Sequence, residues 1–190
     1  MHSLCVRRVV LYYPHLFLPI LVYENGSGKT TICRCFLSQL KPNVKYALIF
    51  NPCLSELQVL EAIVDDFGIR RGFFGLRKKL KTKKDYFDAI NRFLLKQTSK
   101  GNNVVVIIDE AQNLTMSVLE QIRLLSNLET ESEKLLQIIF FGQPEFREML
   151  QQSSMKQLRQ RIGVRYHLTA LNQEESQEYV YHRLKIAGVD

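Results

Sequence analysis

The chain has 190 residues, 46% of them hydrophobic, which fits one well-buried domain with a fragment of another. This composition excludes a low-complexity chain. The net charge of +7 is local, because eight basic residues and no acidic residue lie between positions 70 and 84. The rest of the chain is nearly neutral, so its composition does not indicate general nucleic-acid binding.

The four cysteines do not have the spacing of metal ligands. A disulfide framework is typical of small secreted chains, and this chain does not show that pattern. We therefore expect reduced thiols in a cytosolic protein, at Cys5, Cys33, Cys35 and Cys53.

Residues 1–23 are interpreted as an atypical N-terminal segment that includes the first strand. Arg7-Arg8 and the apolar residues after them imitate a signal peptide, but no small-residue cleavage site follows. The apolar stretch is also too short for an ordinary membrane span. We expect a buried strand over Phe17–Val22, although Pro19 lacks the amide hydrogen that a central strand uses. We therefore expect about the first twenty residues to be a mis-started, rearranged or otherwise atypical N-terminus.

A glycine-rich turn follows this strand. Its backbone N–H groups can converge on phosphate oxygens, Lys29 can bind the β and γ phosphates, and the Thr30 hydroxyl can bind Mg²⁺. The full phosphate-loop pattern has glycine where this chain has Tyr23, which indicates a loop weakened at its entrance. The predicted nucleotide-binding residues are Glu24, Asn25, Gly26, Ser27, Gly28, Lys29, Thr30 and Thr31.

After the loop, helical and strand patterns alternate, which predicts an α/β fold with a parallel sheet. Predicted helices cover Thr30–Leu40, Leu54–Phe67, Thr82–Leu95, Met116–Leu128, a short segment through Leu150, Met155–Ile162, and a last helix that starts at Asn172 and ends at Gly188. Predicted strands cover Tyr46–Phe50, Val104–Ile108, Leu135–Phe141 and Arg165–Leu168.

The basic stretch from Arg70 to Lys84 includes the aromatic pair Phe73-Phe74. Basic and aromatic residues together are typical of contact with nucleic acid or with an anionic membrane surface. A solvated loop that runs into a helix is the alternative interpretation.

The apolar run Val104–Ile108 has the composition of a strand buried on both faces, and two acids follow it. Asp109 is expected to hold Mg²⁺, and Glu110 to polarise an attacking water. The glycine-rich loop and this acid pair together predict nucleotide hydrolysis.

Four further side chains are candidates for the same chemistry. Gln143 directly follows a predicted strand, where it could orient the water or sense the γ-phosphate, or be a turn residue. Asn51 could contact Glu110, or simply end its strand. Arg159 and Arg161 precede the last strand, and either could stabilise the transferring phosphoryl group in a neighbouring subunit or lie on a solvated helix face. We favour Arg161 over Arg159.

Several motifs together resemble one group of AAA+ ATPases. It is the ExeA or general secretion pathway protein A group, with relatives in mannose-sensitive haemagglutinin pilus biogenesis. The likeness covers about residues 24 to 188. It is carried by Gly26-Ser27-Gly28-Lys29-Thr30-Thr31-Ile32-Cys33-Arg34, Ile108-Asp109-Glu110-Ala111-Gln112-Asn113-Leu114, Phe141-Gly142-Gln143-Pro144-Glu145-Phe146, Gln157-Leu158-Arg159-Gln160-Arg161-Ile162, Arg165-Tyr166-His167-Leu168 and His182-Arg183-Leu184.

The resemblance implies a P-loop NTPase three-layer sandwich of AAA+ type, with strand order 5-1-4-3-2 and ATP at a subunit interface. It implies a Mg²⁺-dependent ATPase with Lys29 and Thr30 at the phosphates and Mg²⁺, Asp109 on Mg²⁺, Glu110 as catalytic base and Gln143 as sensor. Residues 24–171 would be the ATPase core, and 172–190 the first helix of a largely missing lid.

The resemblance also implies a cellular role. Such proteins work as oligomers that use ATP to help assemble a secretion or pilus apparatus in the bacterial envelope. The expected partners are further copies of this chain and envelope secretion or pilus assembly proteins. The expected location is the cytoplasm or the cytoplasmic face of the inner membrane.

Two other functions stay open at this stage. Transposition helper ATPases share this core, so the chain could be a nucleotide-gated DNA-binding adaptor whose lysines bind duplex DNA in a salt-sensitive way. Alternatively, the changed loop entrance at Tyr23 could leave a non-catalytic scaffold. The lysines in question are Lys78, Lys79, Lys83 and Lys84.

Overall fold

The computed structural model of the chain describes residues 19–23, 33, 36–38, 40–50, 53–69, 80–130, 133–168, 173–186 and 188. These residues contain a five-stranded sheet whose neighbouring strands are all parallel. Its strands are β1 (Pro19–Tyr23), β2 (Val44–Ile49), β3 (Asn103–Ile108), β4 (Gln137–Gly142) and β5 (Val164–Leu168). The spatial order β2-β3-β4-β1-β5 is the order 5-1-4-3-2 read in reverse, so the expected topology is confirmed.

Helices connect the strands within the described ranges. They are α1 (Glu56–Asp66), α2 (Lys83–Thr98), α3 (Met116–Leu125), α4 (Pro144–Gln151), α5 (Lys156–Arg161) and α6 (Gln173–Ile186). Short 3-10 turns cover Ala111–Asn113 and Ser153–Met155, and residues 33 and 36–38 are helical. No helix in these ranges combines the length and the apolar character that crossing a bilayer requires.

Local signals in the sequence explain where α2 begins and ends. The Thr82 side chain accepts a hydrogen bond from the Asp85 backbone, and the Asp85 carboxylate accepts one from the Thr82 backbone. This reciprocal capping satisfies amide groups that the first helical turn leaves unpaired. Gly101 follows the helix with φ of +72°, a conformation that glycine adopts without strain. The expected cap is confirmed, and Gly101 lies beyond the helix as expected, although the helix runs to Thr98, past the predicted end at Leu95.

The sheet separates two apolar layers. Successive residues of β3 face opposite sides, so Val106 and Ile108 join one layer while Val105 and Ile107 join the other. The first layer packs against α1 to α4, and the second packs against the helical residue Phe36. Both faces of β3 are therefore covered, as its uninterrupted apolar sequence predicts. The result is the expected three-layer α/β sandwich.

Strand β1 covers Pro19–Tyr23, and the predicted strand residues 17 and 18 lie outside the described ranges. Pro19 is the first residue of the strand as described, a position where a missing amide hydrogen is tolerated. Three predicted helix boundaries need correction. Helix α2 ends at Thr98 rather than Leu95. Helix α3 ends at Leu125 rather than Leu128, because a turn follows in which the Asn127 and Leu128 backbone N–H groups donate to carbonyls three residues back. Met155 belongs to a 3-10 turn, and α5 begins after it.

The glycine-rich loop over residues 24–32, Asn51 and the basic residues 70–79 lie outside the described ranges. The roles of these residues, like the division into core and lid, stay predictions.

Candidate functional site

The acid pair and Gln143 meet at the carboxyl edge of the sheet. Ile108, the last residue of β3, lies opposite Phe140 of β4. Glu110 follows the end of β3 by two residues, and Gln143 directly follows the end of β4. The carboxyl ends of parallel strands are where open α/β sheets bind ligands. The structure therefore brings Glu110 and Gln143 to one place, as the sequence predicts.

Asp109 continues the ladder of the sheet beyond β3. Its backbone N–H donates to the Ile49 carbonyl at the end of β2, with 3.0 Å between nitrogen and oxygen. The residue is 8% exposed. A carboxylate buried to this degree needs polar or ionic partners, and its Oδ1 accepts the Glu110 amide at 2.9 Å.

The backbone at Glu110 is left-handed, with φ of 53° and ψ of 42°. Among the described residues other than glycine, it alone has a positive φ. This conformation costs about 1–2 kcal/mol in a residue with a Cβ atom. It turns the chain sharply out of β3 into the 3-10 turn, and such local strain is typical of functional sites.

Two glutamine side chains hold the Glu110 carboxylate. Gln143 Nε2 donates to Glu110 Oε2 at 3.2 Å, and Gln112 Nε2 donates to the same oxygen. Gln112 Oε1 in turn accepts a hydrogen bond from the backbone N–H of Gln143, with 3.0 Å between the two atoms. Although Gln143 occupies the N-cap position of α4, its side chain makes no capping bond and contacts the acid instead. Sequence reasoning missed Gln112, whose available signal was its position two residues after the acid.

Gly142 allows this arrangement by its close approach to α4. A Cβ atom at this position would lie 3.1 Å from both Cβ and Cδ1 of Phe146. Phe146 is fully buried and packs against Phe140, with ring centroids 5.3 Å apart. The turn that carries Gln143 is therefore fixed by packing.

The helix that follows the glycine-rich loop lies beside Asp109. Cys33 in this helix is 2% exposed. Burial, and secondly the Asp109 carboxylate, raises the pKa of the Cys33 thiol to about 11. In the sequence, Cys33 comes three residues after Thr30, which lies outside the described ranges. The carboxylate oxygens of Asp109 are the hard donors that Mg²⁺ prefers, so this residue fits the expected metal.

Arg159 and Arg161 lie away from Glu110. Arg161 Nη1 donates to the Ser126 carbonyl at 3.4 Å, and Arg159 Nη1 donates to the Gln151 carbonyl at 3.2 Å. Burial, and secondly the charge of Arg161, lowers the pKa of Lys134. Because α3 and α4 both run back from the carboxyl edge, their last residues lie at the opposite edge of the sheet. The structure does not bring either arginine to the acid of its own chain.

A parallel sheet of order 5-1-4-3-2 with an acid pair directly after β3 defines a P-loop NTPase fold of AAA+ type. The chain belongs to the family described as "AAA domain", which matches residues 18–150. It is also 45% identical over 169 residues to general secretion pathway protein A of Aeromonas hydrophila. That alignment covers 89% of this chain and 30% of the relative, so the chain spans less than a third of the relative's length. The resemblance seen in the motifs is confirmed.

Several solved structures share this fold. ORC2 of Aeropyrum pernix aligns with a TM-score of 0.67 and 15% identity, over 97% of this chain and 49% of ORC2. Cdc6p of Pyrobaculum aerophilum gives 0.69 and 14%, over 97% and 48%. RuvB of Thermotoga maritima, solved as a point mutant, gives 0.55 and 16%, over 99% and 50%. At such identities these similarities establish the fold alone, and the predicted fold class is confirmed.

Proposed function

We propose that this chain is a Mg²⁺-dependent ATPase module that works as a homo-oligomer. The observation that carries the proposal is the contact between Glu110 and Gln143 at the carboxyl edge, directly beside the buried Asp109. An acid that can accept a proton, an amide that can contact phosphate, and a metal-binding carboxylate are the groups that nucleoside triphosphate hydrolysis uses.

Each residue has a distinct role in this proposal. The segment Glu24–Thr31 encloses the phosphates, with Lys29 on the β and γ oxygens. Asp109 and Thr30 hold Mg²⁺, which when bound supplies positive charge to the phosphate oxygens. Glu110 accepts a proton from the attacking water at its carboxylate, and Gln143 contacts the γ-phosphate.

The position of Cys33 supports a shared site for the loop and the acids. Its thiol interacts with the Asp109 carboxylate, and Thr30 precedes it by three residues in the sequence. We infer that the helix after the loop directs Thr30 toward the same carboxylate.

We further propose that Arg161 acts in the site of a neighbouring subunit, with Arg159 as the second candidate. Its guanidinium lies at the sheet edge opposite Glu110, next to Ser126 and Lys134. An arginine so placed can complete a phosphoryl-transfer site only across a subunit interface. This supports the proposed oligomer.

The similarity to general secretion pathway protein A supports a role in the bacterial envelope. We propose that the module drives assembly of a secretion or pilus apparatus, from the cytoplasm or from the cytoplasmic face of the inner membrane. Its partners would then be envelope assembly proteins.

Hydrolysis and nucleotide binding by the purified chain test the proposed activity. We expect Lys29→Ala to abolish hydrolysis by removing the phosphate-binding charge, and Glu110→Gln to keep nucleotide binding but stop turnover. Glu120→Gln is the matched control, because Glu120 pairs with Arg123 on the surface of α3. Lack of nucleotide binding at millimolar concentration, or full activity in Glu110→Gln, would contradict the proposal.

A substitution at the loop entrance distinguishes a weakened nucleotide site from a non-catalytic scaffold. Tyr23 is the last residue of β1, where the phosphate-loop pattern has glycine. Since a glycine eases the tight exit from the strand, we expect Tyr23→Gly to increase ATP affinity if the natural loop is impaired. Affinity measured with a fluorescent ATP analogue for both proteins gives the answer.

A further inference from the structure

Gln112 connects the two groups assigned to hydrolysis. Its Nε2 donates to Glu110 Oε2, and its Oε1 accepts a hydrogen bond from the backbone N–H of Gln143, with 3.0 Å between the two atoms. Gln143 Nε2 donates to the same Glu110 oxygen at 3.2 Å, which closes a ring of three residues. We propose that Gln112 is a positioning residue that makes the Glu110 carboxylate and the Gln143 side-chain amide act as one unit. This inference depends on the proposed ATPase function.

The surroundings of Gln112 suit a positioning role. It is the middle residue of the 3-10 turn, and its neighbours Ala111 and Leu114 are buried in the larger apolar layer. The backbone of the turn is therefore anchored on both sides of the glutamine. The side chain extends from this fixed base to Glu110 on one side and to the start of α4 on the other.

The two bonds of Gln112 act on different parts of the site. The bond to Glu110 is charge-assisted, so it restrains the orientation of the carboxylate together with the bond from the Gln143 side chain. The bond to the backbone N–H of Gln143 fixes the backbone from which the Gln143 side chain extends. A displacement of Gln143 on contact with phosphate would therefore move the acid through Gln112.

Replacement of Gln112 should slow hydrolysis without weakening nucleotide binding, because neither bond is made to the nucleotide. Gln112→Met keeps the length of the side chain and removes both bonds. We expect kcat to fall about tenfold, the loss typical of a hydrogen bond to a charged group. Nucleotide affinity should stay within about twofold. Combined with Gln143→Met, the loss should be smaller than the product of the two single losses.

Gln97→Met is the matched control for this variant. Gln97 is also half-buried, and its Oε1 accepts a hydrogen bond from Asn102 Nδ2 at 2.8 Å, at the far end of α2. We expect normal hydrolysis from this protein. Equal losses from the two variants, an unchanged kcat in Gln112→Met, or multiplicative losses in the double variant would each overturn the proposed role.

A measurement without nucleotide tests the contact itself. The NMR signal of the Gln112 side-chain amide, assigned by through-bond connectivities in the unmodified protein, should shift in Glu110→Ala, while that of Gln97 should not. An unmoved Gln112 signal would overturn the inference even if Gln112→Met fails to fold. If the unmodified chain hydrolyses no ATP, the proposed function fails, whereas a shifted amide signal would still establish the contact.

Discussion

At the scale of single residues, the thiol of Cys33 reports on the distance between the loop and the acids. Its side chain is buried, and its pKa is raised to about 11 by burial and then by the Asp109 carboxylate. The raised pKa keeps Cys33 as a neutral thiol at every physiological pH. The second contribution exists only if the helix after the loop lies close to Asp109.

We expect slow alkylation of Cys33 at about pH 8, since a pKa near 11 leaves about one thiolate per thousand molecules. The rate should rise as the pH approaches 11, because the thiolate is the reactive form. Asp109→Asn should accelerate the reaction by removing the nearby negative charge, although burial should keep it slow. Mass spectrometry of alkylated peptides distinguishes Cys33 from the exposed Cys53.

Asp88→Asn is the control for the Cys33 experiment, because Asp88 is an exposed carboxylate on α2. It should leave the alkylation rate of Cys33 unchanged. If Asp109→Asn has no more effect than Asp88→Asn, the helix and the acid are not neighbours, and the shared site loses its support.

At the scale of elements, the turn between β4 and α4 determines where Gln143 lies. Gly142→Ala would place a Cβ atom 3.1 Å from buried Phe146, so the start of α4 must shift. We expect the free energy of unfolding to fall by about 1–3 kcal/mol through overpacking. Hydrolysis should slow about tenfold because Gln143 is displaced from Glu110. Chemical denaturation and steady-state kinetics measure the two effects.

Gly101→Ala is the control for Gly142→Ala, because it should lower stability without moving Gln143. Gly101 has a φ of +72° and open space around it, so alanine should cost about 1 kcal/mol through backbone strain. Because Gly101 follows α2 and lies far from Gln143, hydrolysis by the folded protein should be normal. Equal catalytic losses in the two variants would show that stability, not the turn, limits the activity.

Local patterns predicted some elements well. Strand β3 and the start of α2 follow from an apolar run and from a capping pair, which both act within a few residues. The predicted end of α3 lies too far along because apolar Leu128 continues the helical period, whereas the backbone already forms three-residue turns after Leu125. The alternation of elements predicts a parallel sheet but not its strand order. That order came from the family resemblance.

The candidate site was predictable only in part. Asp109, Glu110 and Gln143 each follow a strand, and the ends of parallel strands share one edge. Gln112 was missed because its contacts depend on the left-handed backbone at Glu110, which nothing in a glutamate signals. The arginines were identified as candidates, but only the structure places them at the opposite edge of the sheet.

At the scale of the whole molecule, the two edges of the sheet carry complementary parts of the proposed site. Glu110 lies at the carboxyl edge, and Arg161 lies at the other edge beside Ser126. A single chain therefore cannot bring its own arginine to its own acid without unfolding the sheet. A ring in which each subunit presents its arginine to the next would bring them together.

Mixing two inactive variants tests this arrangement. Glu110→Gln lacks the acid and Arg161→Ala lacks the arginine, so each homogeneous oligomer should be almost inactive. In a random equal mixture, an intact acid meets an intact arginine at about a quarter of the interfaces, and activity should return to about that level. A mixture of Glu110→Gln with Lys29→Ala is the control, because no interface there combines the acid, the loop lysine and bound nucleotide. Recovery in the first mixture alone requires catalysis across subunits, whereas failure of both mixtures would confine Arg161 to its own chain and end its proposed role.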